Sequence, residues 1–146
     1  MAESILSEKF YFSFVTFLLR SKHQLIAIGH EFGLTNMQTL TLLIIETVKT
    51  PSMSSFCKLY ECDASNITGI IDGLEQKQLV ARCPYPNDRR IKIIKLEAAG
   101  QALRHKLISR LAETGDFQFS VLTAAELQQF AYLIQKLASA PSSATE

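Results

Sequence analysis

The sequence lacks the patterns that mark most catalytic and metal-binding chains. Its three cysteines are odd in number, and their spacing forms neither a CxxC pair nor a zinc-type cluster. It contains no G-x-S-x-G, P-loop or H-E-x-x-H motif and no convergent set of acids and bases. These absences predict a protein that is not an enzyme and that holds no metal or other cofactor.

Long hydrophobic segments are also missing. The apolar run FYFSFVTFLL at 10–19 is about half as long as the ~20 residues that cross a bilayer. The N-terminus has no basic region of the kind that begins a signal peptide. We therefore expect a cytoplasmic protein with reduced thiols and no membrane partner.

The chain has almost no excess of charge of either sign, since its 15 basic and 14 acidic residues give a formal net charge of +1. Binding to a polyanion would therefore depend on a local basic patch. The 146 residues suffice for one compact domain, yet 47% of them are hydrophobic, which is high for a soluble monomer. This high hydrophobic fraction indicates that part of the apolar surface is buried against a second chain.

Apolar spacing predicts helices along most of the chain. Capping boxes at Thr35 with Gln38 and at Thr123 with Glu126 mark two helix starts, and Asp63 is expected to cap a third. Helices are predicted over six segments: 4–31, 35–50, 52–60, 64–77, 97–114 and 123–138.

Two strands are predicted at 79–85 and 91–96, with a turn over 86–90 between them. A short helix, a brief turn and a second helix form a helix-turn-helix, and a hairpin directly after it is a wing. The predicted fold class is therefore mainly α with a small β-hairpin wing (α+β).

The expected division places a winged helix-turn-helix at 34–114, flanked by helical regions at 1–33 and 115–146. The flanking helices have apolar faces that a small winged unit cannot cover. We therefore expect them to form the dimerisation region of a two-fold homodimer.

Three motifs follow one another along the chain: LTNMQ (34–38), DASNITGIIDGLEQKQLVAR (63–82) and NDRRIKIIKLEAAG (87–100). Together they resemble the MarR family of bacterial transcriptional regulators, whose members show LT-x-x-Q, S-x-x-T, LE-x-K-G-L-V-x-R and D-R-R segments in this order. The resemblance implies a dimeric, sequence-specific DNA-binding regulator on a pseudo-palindromic double-stranded operator. It also implies a repressor that a small-molecule effector releases.

Four positions depart from the family pattern. Gln78 and Glu61 stand where glycine is usual, and Glu97 replaces a threonine cap. Gly69 stands where many members carry an arginine on the DNA face. This last departure bears on base recognition more than on the fold.

The hairpin carries one part of the predicted DNA site. One acid, Asp88, lies among six cations: Lys77, Arg82, Arg89, Arg90, Lys92 and Lys95. An arginine on a narrow hairpin can enter the minor groove, where the negative potential is concentrated. The resemblance to the family's D-x-R pattern implies that Asp88 holds Arg90 extended, while Arg89 is expected to take a phosphate.

The helix at 64–77 carries the other part. Its apolar residues Ile67, Ile71 and Leu74 are expected to face inward. The polar face then consists of Ser65, Asn66, Thr68, Gly69 and Asp72. Asparagine can bond adenine bidentately, and serine and threonine accept several bases. The carboxylate of Asp72 would repel phosphate and is expected to face a cation instead.

Two alternatives stay open from the sequence. One is a redox-responsive regulator that uses Cys57, Cys62 or Cys83, although Cys57 and Cys62 fill apolar positions typical of small buried hydrophobes. The other is an interaction module that kept the fold and lost DNA binding, an alternative that Gly69 and the low net charge leave open.

A ligand site is expected between the dimerisation region and the winged unit. Phe17, Arg20 and His23 lie within two turns of the first helix and combine an aromatic ring, a cation and a titratable donor. Because arginine binds carboxylates bidentately, this set suits a small aromatic anion. The opposite interpretation, with Phe17 in the core and Arg20 as a surface charge, stays open.

Overall fold

A computed structural model describes residues 8–140, apart from the side chains of 115–118. Residues 4–7 of the predicted first helix, and the ends of the two predicted dimerisation segments, lie outside the described residues. The elements in chain order are α1 (Glu8–Glu31), α2 (Asn36–Ile44), α3 (Met53–Tyr60), α4 (Ala64–Gln76), β1 (Val80–Tyr85), β2 (Asp88–Leu96), α5 (Ala98–Phe119) and α6 (Ala124–Ala138). This order confirms the predicted fold class.

The chain divides into two compact units, residues 1–111 and 112–146. The first contains α1 to α4, the hairpin and most of α5, and the second contains the end of α5 and α6. Within the described residues, no helix is long and apolar enough to cross a membrane.

The core of the first unit lies beneath the helix-turn-helix and the hairpin. Its fully buried apolar side chains come from α2, α3, α4, β2 and α5: Leu42, Phe56, Ile67, Ile71, Leu74, Ile94 and Leu107. The inward stripe of α4 is thus confirmed. Because Ile67, Ile71 and Leu74 are fixed in the core, the opposite face of α4 is turned toward solvent.

Local sequence signals set most of the helix boundaries. Thr35 and Gln38 form the predicted capping box, as do Thr123 and Glu126. Asp63 occupies the N-cap position of α4 with an extended backbone, but its side chain accepts no capping hydrogen bond. The prediction was therefore right about the position and wrong about the side-chain contact.

Glu61 and Gln78, which stand where the family usually has glycine, both adopt the left-handed backbone conformation that glycine favours. Glu61, at the helix-turn-helix turn, has φ 50°, and Gln78, after α4, has φ 57°. Each costs about 1 kcal/mol more than glycine would. The backbone path of the turn and of the helix end is thus kept without glycine.

The hairpin is tighter than predicted. Its turn is only Pro86–Asn87, and β2 begins at Asp88, so Asp88, Arg89 and Arg90 lie on the strand rather than in a turn over 86–90. Tyr85 pairs with Asp88, and Val80 pairs with Leu96 at the other end. The register shifts beside the turn, since Tyr85 pairs with Asp88 while Pro84 pairs with Lys92. Arg89 and Arg90 therefore lie in an irregular part of the strand.

Helix α5 is longer than the predicted 97–114, since it ends at Phe119. Gly115 lies inside it. A glycine in a helix interior costs about 1 kcal/mol relative to alanine, which lowers helix stability without ending the helix.

Candidate nucleic-acid interface

Helix α4 presents a polar face to solvent. Ser65, Asn66, Thr68 and Gly69 are all exposed, as predicted from the inward apolar stripe. Ser65, Gly69 and Asp72 recur at helical spacing and therefore lie along one line of this face. The Thr68 hydroxyl donates a hydrogen bond to the backbone carbonyl of Ala64 at 2.8 Å, and this contact orients its side chain.

The space above Gly69 is open. A Cβ atom added there would meet no other atom within 4 Å. The packing of the chain therefore does not require glycine at this position. The residue leaves a flat patch in the middle of the exposed face, between Ser65 and Asp72.

On the hairpin, Arg90 pairs with Asp88. Its Nε and Nη2 atoms donate to the two carboxylate oxygens of Asp88, each at 3.0 Å, and its backbone N–H donates to Asp88 Oδ1 at 3.0 Å. The Arg90 side chain is nevertheless 90% exposed. Asp88 therefore orients the guanidinium without covering it.

Hydrogen bonds from the Arg90 side chain, and then from its backbone N–H, hold the pKa of Asp88 below its ordinary value of 3.8. A lowered carboxyl pKa means that the pair is intact above that value and opens only as the pH falls through the lower pKa of the folded state. The pair is therefore closed at neutral pH.

Arg89 is exposed and has no hydrogen-bond or ion-pair partner among the described residues. The exposed side chains of Lys92 and Lys95 follow on the same strand. These three cations and Arg90 form a basic edge along β2, and Asp88 is the one acid beside them in the strand.

Two of the six predicted wing cations are engaged elsewhere. Lys77 Nζ donates to the Gly33 carbonyl at 3.0 Å. Arg82 forms ion pairs with Asp72 and Glu75 of α4. The expectation that Asp72 faces a cation is thus confirmed. Arg82, counted among the six cations of the hairpin region, has its guanidinium occupied by two carboxylates and is not a free charge of the wing.

All three cysteines are free and half-buried. Cys57 and Cys62 pack against the core around the helix-turn-helix turn, where the Cys62 N–H donates to the Cys57 carbonyl at 3.2 Å. Burial raises the pKa of the Cys62 thiol, and the neighbouring Cys57 adds to the shift. Because the thiolate is the reactive form, a raised pKa disfavours oxidation at neutral pH.

Cys57→Ser is expected to lower stability by about 1 kcal/mol, since it places a hydroxyl against apolar neighbours. Thermal unfolding monitored by circular dichroism would measure the loss. The DNA affinity of both proteins should be equally insensitive to hydrogen peroxide. Release of the wild type by peroxide, with the serine variant unaffected, would contradict this packing role.

The predicted ligand residues lie on α1. Phe17 is half-buried, and Arg20 and His23 are exposed. In the described part of the chain, no group of three His, Cys, Asp or Glu side chains is placed to hold a metal ion.

An exposed polar helix after a sharp turn, followed by a hairpin with a basic edge, defines a winged helix-turn-helix DNA-binding protein. The sequence profile of the MarR family matches residues 34–92. The chain is 30% identical to the HTH-type transcriptional repressor NicR of Pseudomonas putida, over 71% of this chain and 66% of NicR. It is 31% identical to the HTH-type transcriptional regulator YpoP of Bacillus subtilis, over 66% of this chain and 70% of YpoP.

The match thus spans about two thirds of the length of these relatives. The fold is similar to the crystal structure of apo MarR from E. coli, with a TM-score of 0.71 and 23% identity over 92% of this chain and 98% of that one. The chain belongs to the MarR family. This confirms the predicted resemblance and a DNA-binding transcription regulator rather than an enzyme.

Proposed function

We propose that the protein is a homodimeric repressor that binds a pseudo-palindromic operator in the cytoplasm and is released by a small-molecule effector. The observation that carries the DNA-binding part is the Asp88–Arg90 pair, which orients an exposed guanidinium on the wing. A charge oriented in this way, with no cover from its own chain, suits a polyanion.

The individual side chains have separate roles in this proposal. Arg90 enters the minor groove, Asp88 orients it, and Arg89 binds a phosphate. In the major groove, base edges are contacted from the exposed face of α4 by Ser65, Asn66 and Thr68, with Gly69 allowing close approach.

Dimerisation is proposed through the helical segments 1–33 and 115–146, with 34–114 as the DNA-binding unit. Helix α1 exposes seven large apolar side chains: Phe10, Tyr11, Phe12, Phe14, Val15, Leu18 and Leu19. Helix α6 exposes five: Leu127, Tyr132, Leu133, Ile134 and Leu137. So many large apolar side chains exposed on each of these two helices support a partner chain.

A genomic footprint of the purified protein would test the proposal. Two recognition helices related by a two-fold axis should protect half-sites about 10 bp apart, centre to centre. Affinity should fall steeply between two salt concentrations, because phosphate binding releases counterions. The absence of any protected site would favour an interaction module that kept the fold without DNA binding.

The effector is proposed to be a small aromatic anion held by Phe17, Arg20 and His23. A half-buried ring beside an exposed guanidinium and imidazole supports binding of a flat carboxylate. Release would be a population shift, since a ligand that prefers a dimer with wrongly spaced recognition helices weakens DNA binding by that preference.

Arg20→Ala is expected to weaken binding of a salicylate-like anion about tenfold, as measured by calorimetry, since charge-assisted hydrogen bonds would be lost. Lys22→Ala removes an equal charge from the opposite face of α1 and should leave binding unchanged. By linkage, operator DNA should weaken binding of the anion by the same factor by which the anion weakens binding of DNA. Equal binding by wild type and Arg20→Ala would exclude this site.

A further inference from the structure

Helix α4 is negatively charged, although its proposed role is to bind DNA, which is also negatively charged. Between Ala64 and Gln76 it contains Asp72 and Glu75 and no lysine, arginine or histidine, so its side chains sum to −2. Asp72 comes three residues after Gly69 and seven after Ser65, and it therefore shares the line of the exposed face. Carboxylates on this face would be repelled by DNA phosphates.

Arg82, on β1, forms ion pairs with both carboxylates. Its Nη2 donates to Asp72 Oδ1 at 2.7 Å and its Nη1 donates to Glu75 Oε2, while its backbone N–H donates to Glu75 Oε1 at 2.9 Å. The Arg82 side chain is 23% exposed, against 50% for Asp72. The guanidinium therefore lies on the protein side of the acids, with its donors directed to them.

The hairpin fixes where this charge lies. Arg82 pairs across the strands with Ile94, which is fully buried, and Val80 nearby is buried as well. The backbone at Arg82 is thus anchored in the core. Strand pairing, together with the hydrogen bond from its backbone N–H to Glu75, therefore places the Arg82 cation beside α4.

We propose that Arg82 is a positioning residue for DNA binding: an internal counter-ion, supplied by the wing strand, that makes an acidic recognition helix compatible with DNA. This inference rests on the proposed DNA-binding function. In this proposal Arg82 acts through Asp72 and Glu75, to which both of its terminal nitrogens donate, and not through a phosphate contact of its own.

The test compares operator affinities of full-length variants at low and high salt. Arg82→Met should weaken binding about tenfold at low salt, since it leaves two uncovered carboxylates beside the phosphates. This deficit should shrink as salt increases, because the repulsion is screened over about 10 Å at 0.1 M. Adding Asp72→Asn and Glu75→Gln to Arg82→Met should restore the affinity to within about threefold of the wild type.

Arg104→Met is the matched control, because Arg104 is similarly buried and pairs with Glu46 at 2.7 Å away from α4. It should lower the melting temperature without a salt-dependent loss of DNA affinity. If Arg82→Met does not fold, Asp72→Asn with Glu75→Gln in the wild-type background still tests the idea. Those changes leave Arg82 uncompensated and should strengthen binding.

Unchanged affinity of folded Arg82→Met at low salt would overturn the counter-ion role. So would a triple variant that stays as weak as Arg82→Met while folded, since that result indicates direct DNA contact by Arg82. Failure of the wild type to bind any operator is a different outcome and would refute the proposed function itself.

Discussion

Leu18→Glu is expected to convert the protein to monomers and to lower its affinity for a two-fold operator by about 10²–10⁴-fold. Leu18 is 47% exposed and lies among Tyr11, Phe14 and Val15, at helical spacing on one side of α1. In a dimer interface the new carboxylate would be buried without a partner, which is costly. A monomer would bind each half-site alone, without the gain of linked binding.

Sedimentation at micromolar concentration would measure the dissociation, and a gel shift with intact and half operators would measure the affinity. Ser13→Glu is the matched control, because it adds the same charge at an exposed position of α1 away from this apolar side. It should remain dimeric. A dimeric Leu18→Glu variant, or a monomeric wild type, would contradict the proposed interface.

Arg90→Ala is expected to weaken operator binding by roughly ten- to a hundredfold, the range for loss of one well-oriented arginine contact to DNA. The slope of log affinity against log salt should also fall by about one unit, since one fewer counterion is released. The loss should be large because Asp88 already holds the guanidinium in place, so little ordering is needed on binding.

Three variants separate the roles on the DNA face, each measured by fluorescence anisotropy with operator and with unrelated DNA. Arg89→Ala should cost less than Arg90→Ala, because nothing in the described chain orients Arg89. Asn66→Ala should relax sequence preference rather than weaken all DNA equally. Lys106→Ala, an exposed cation on α5, should change little. Unchanged affinity in the Arg90 variant would exclude insertion of the wing.

Local signals were sufficient for much of the fold. The two capping boxes formed as predicted, because each needs only four consecutive residues. The apolar stripe of α4 likewise indicated which face would be buried, and with it the exposed positions of Ser65 and Asn66. The Asp88–Arg90 pair was expected from the resemblance to the family's D-x-R pattern, and its contact is present.

Longer-range contacts required the tertiary structure. Arg82 was predicted as one wing cation among six, and only the return of the chain from α4 into β1 brings it against Asp72 and Glu75, ten and seven residues earlier. Lys77 reaches Gly33 across 44 residues in the same way.

The sequence by itself determined the order of the elements, the two capping boxes and the inward face of α4, since all of these depend on residues within a few turns of one another. The tertiary structure decided which charges remain free to meet DNA. That outcome depends on distances between separate elements, and a cation neutralised by its own chain has the same letter in the sequence as one that is exposed.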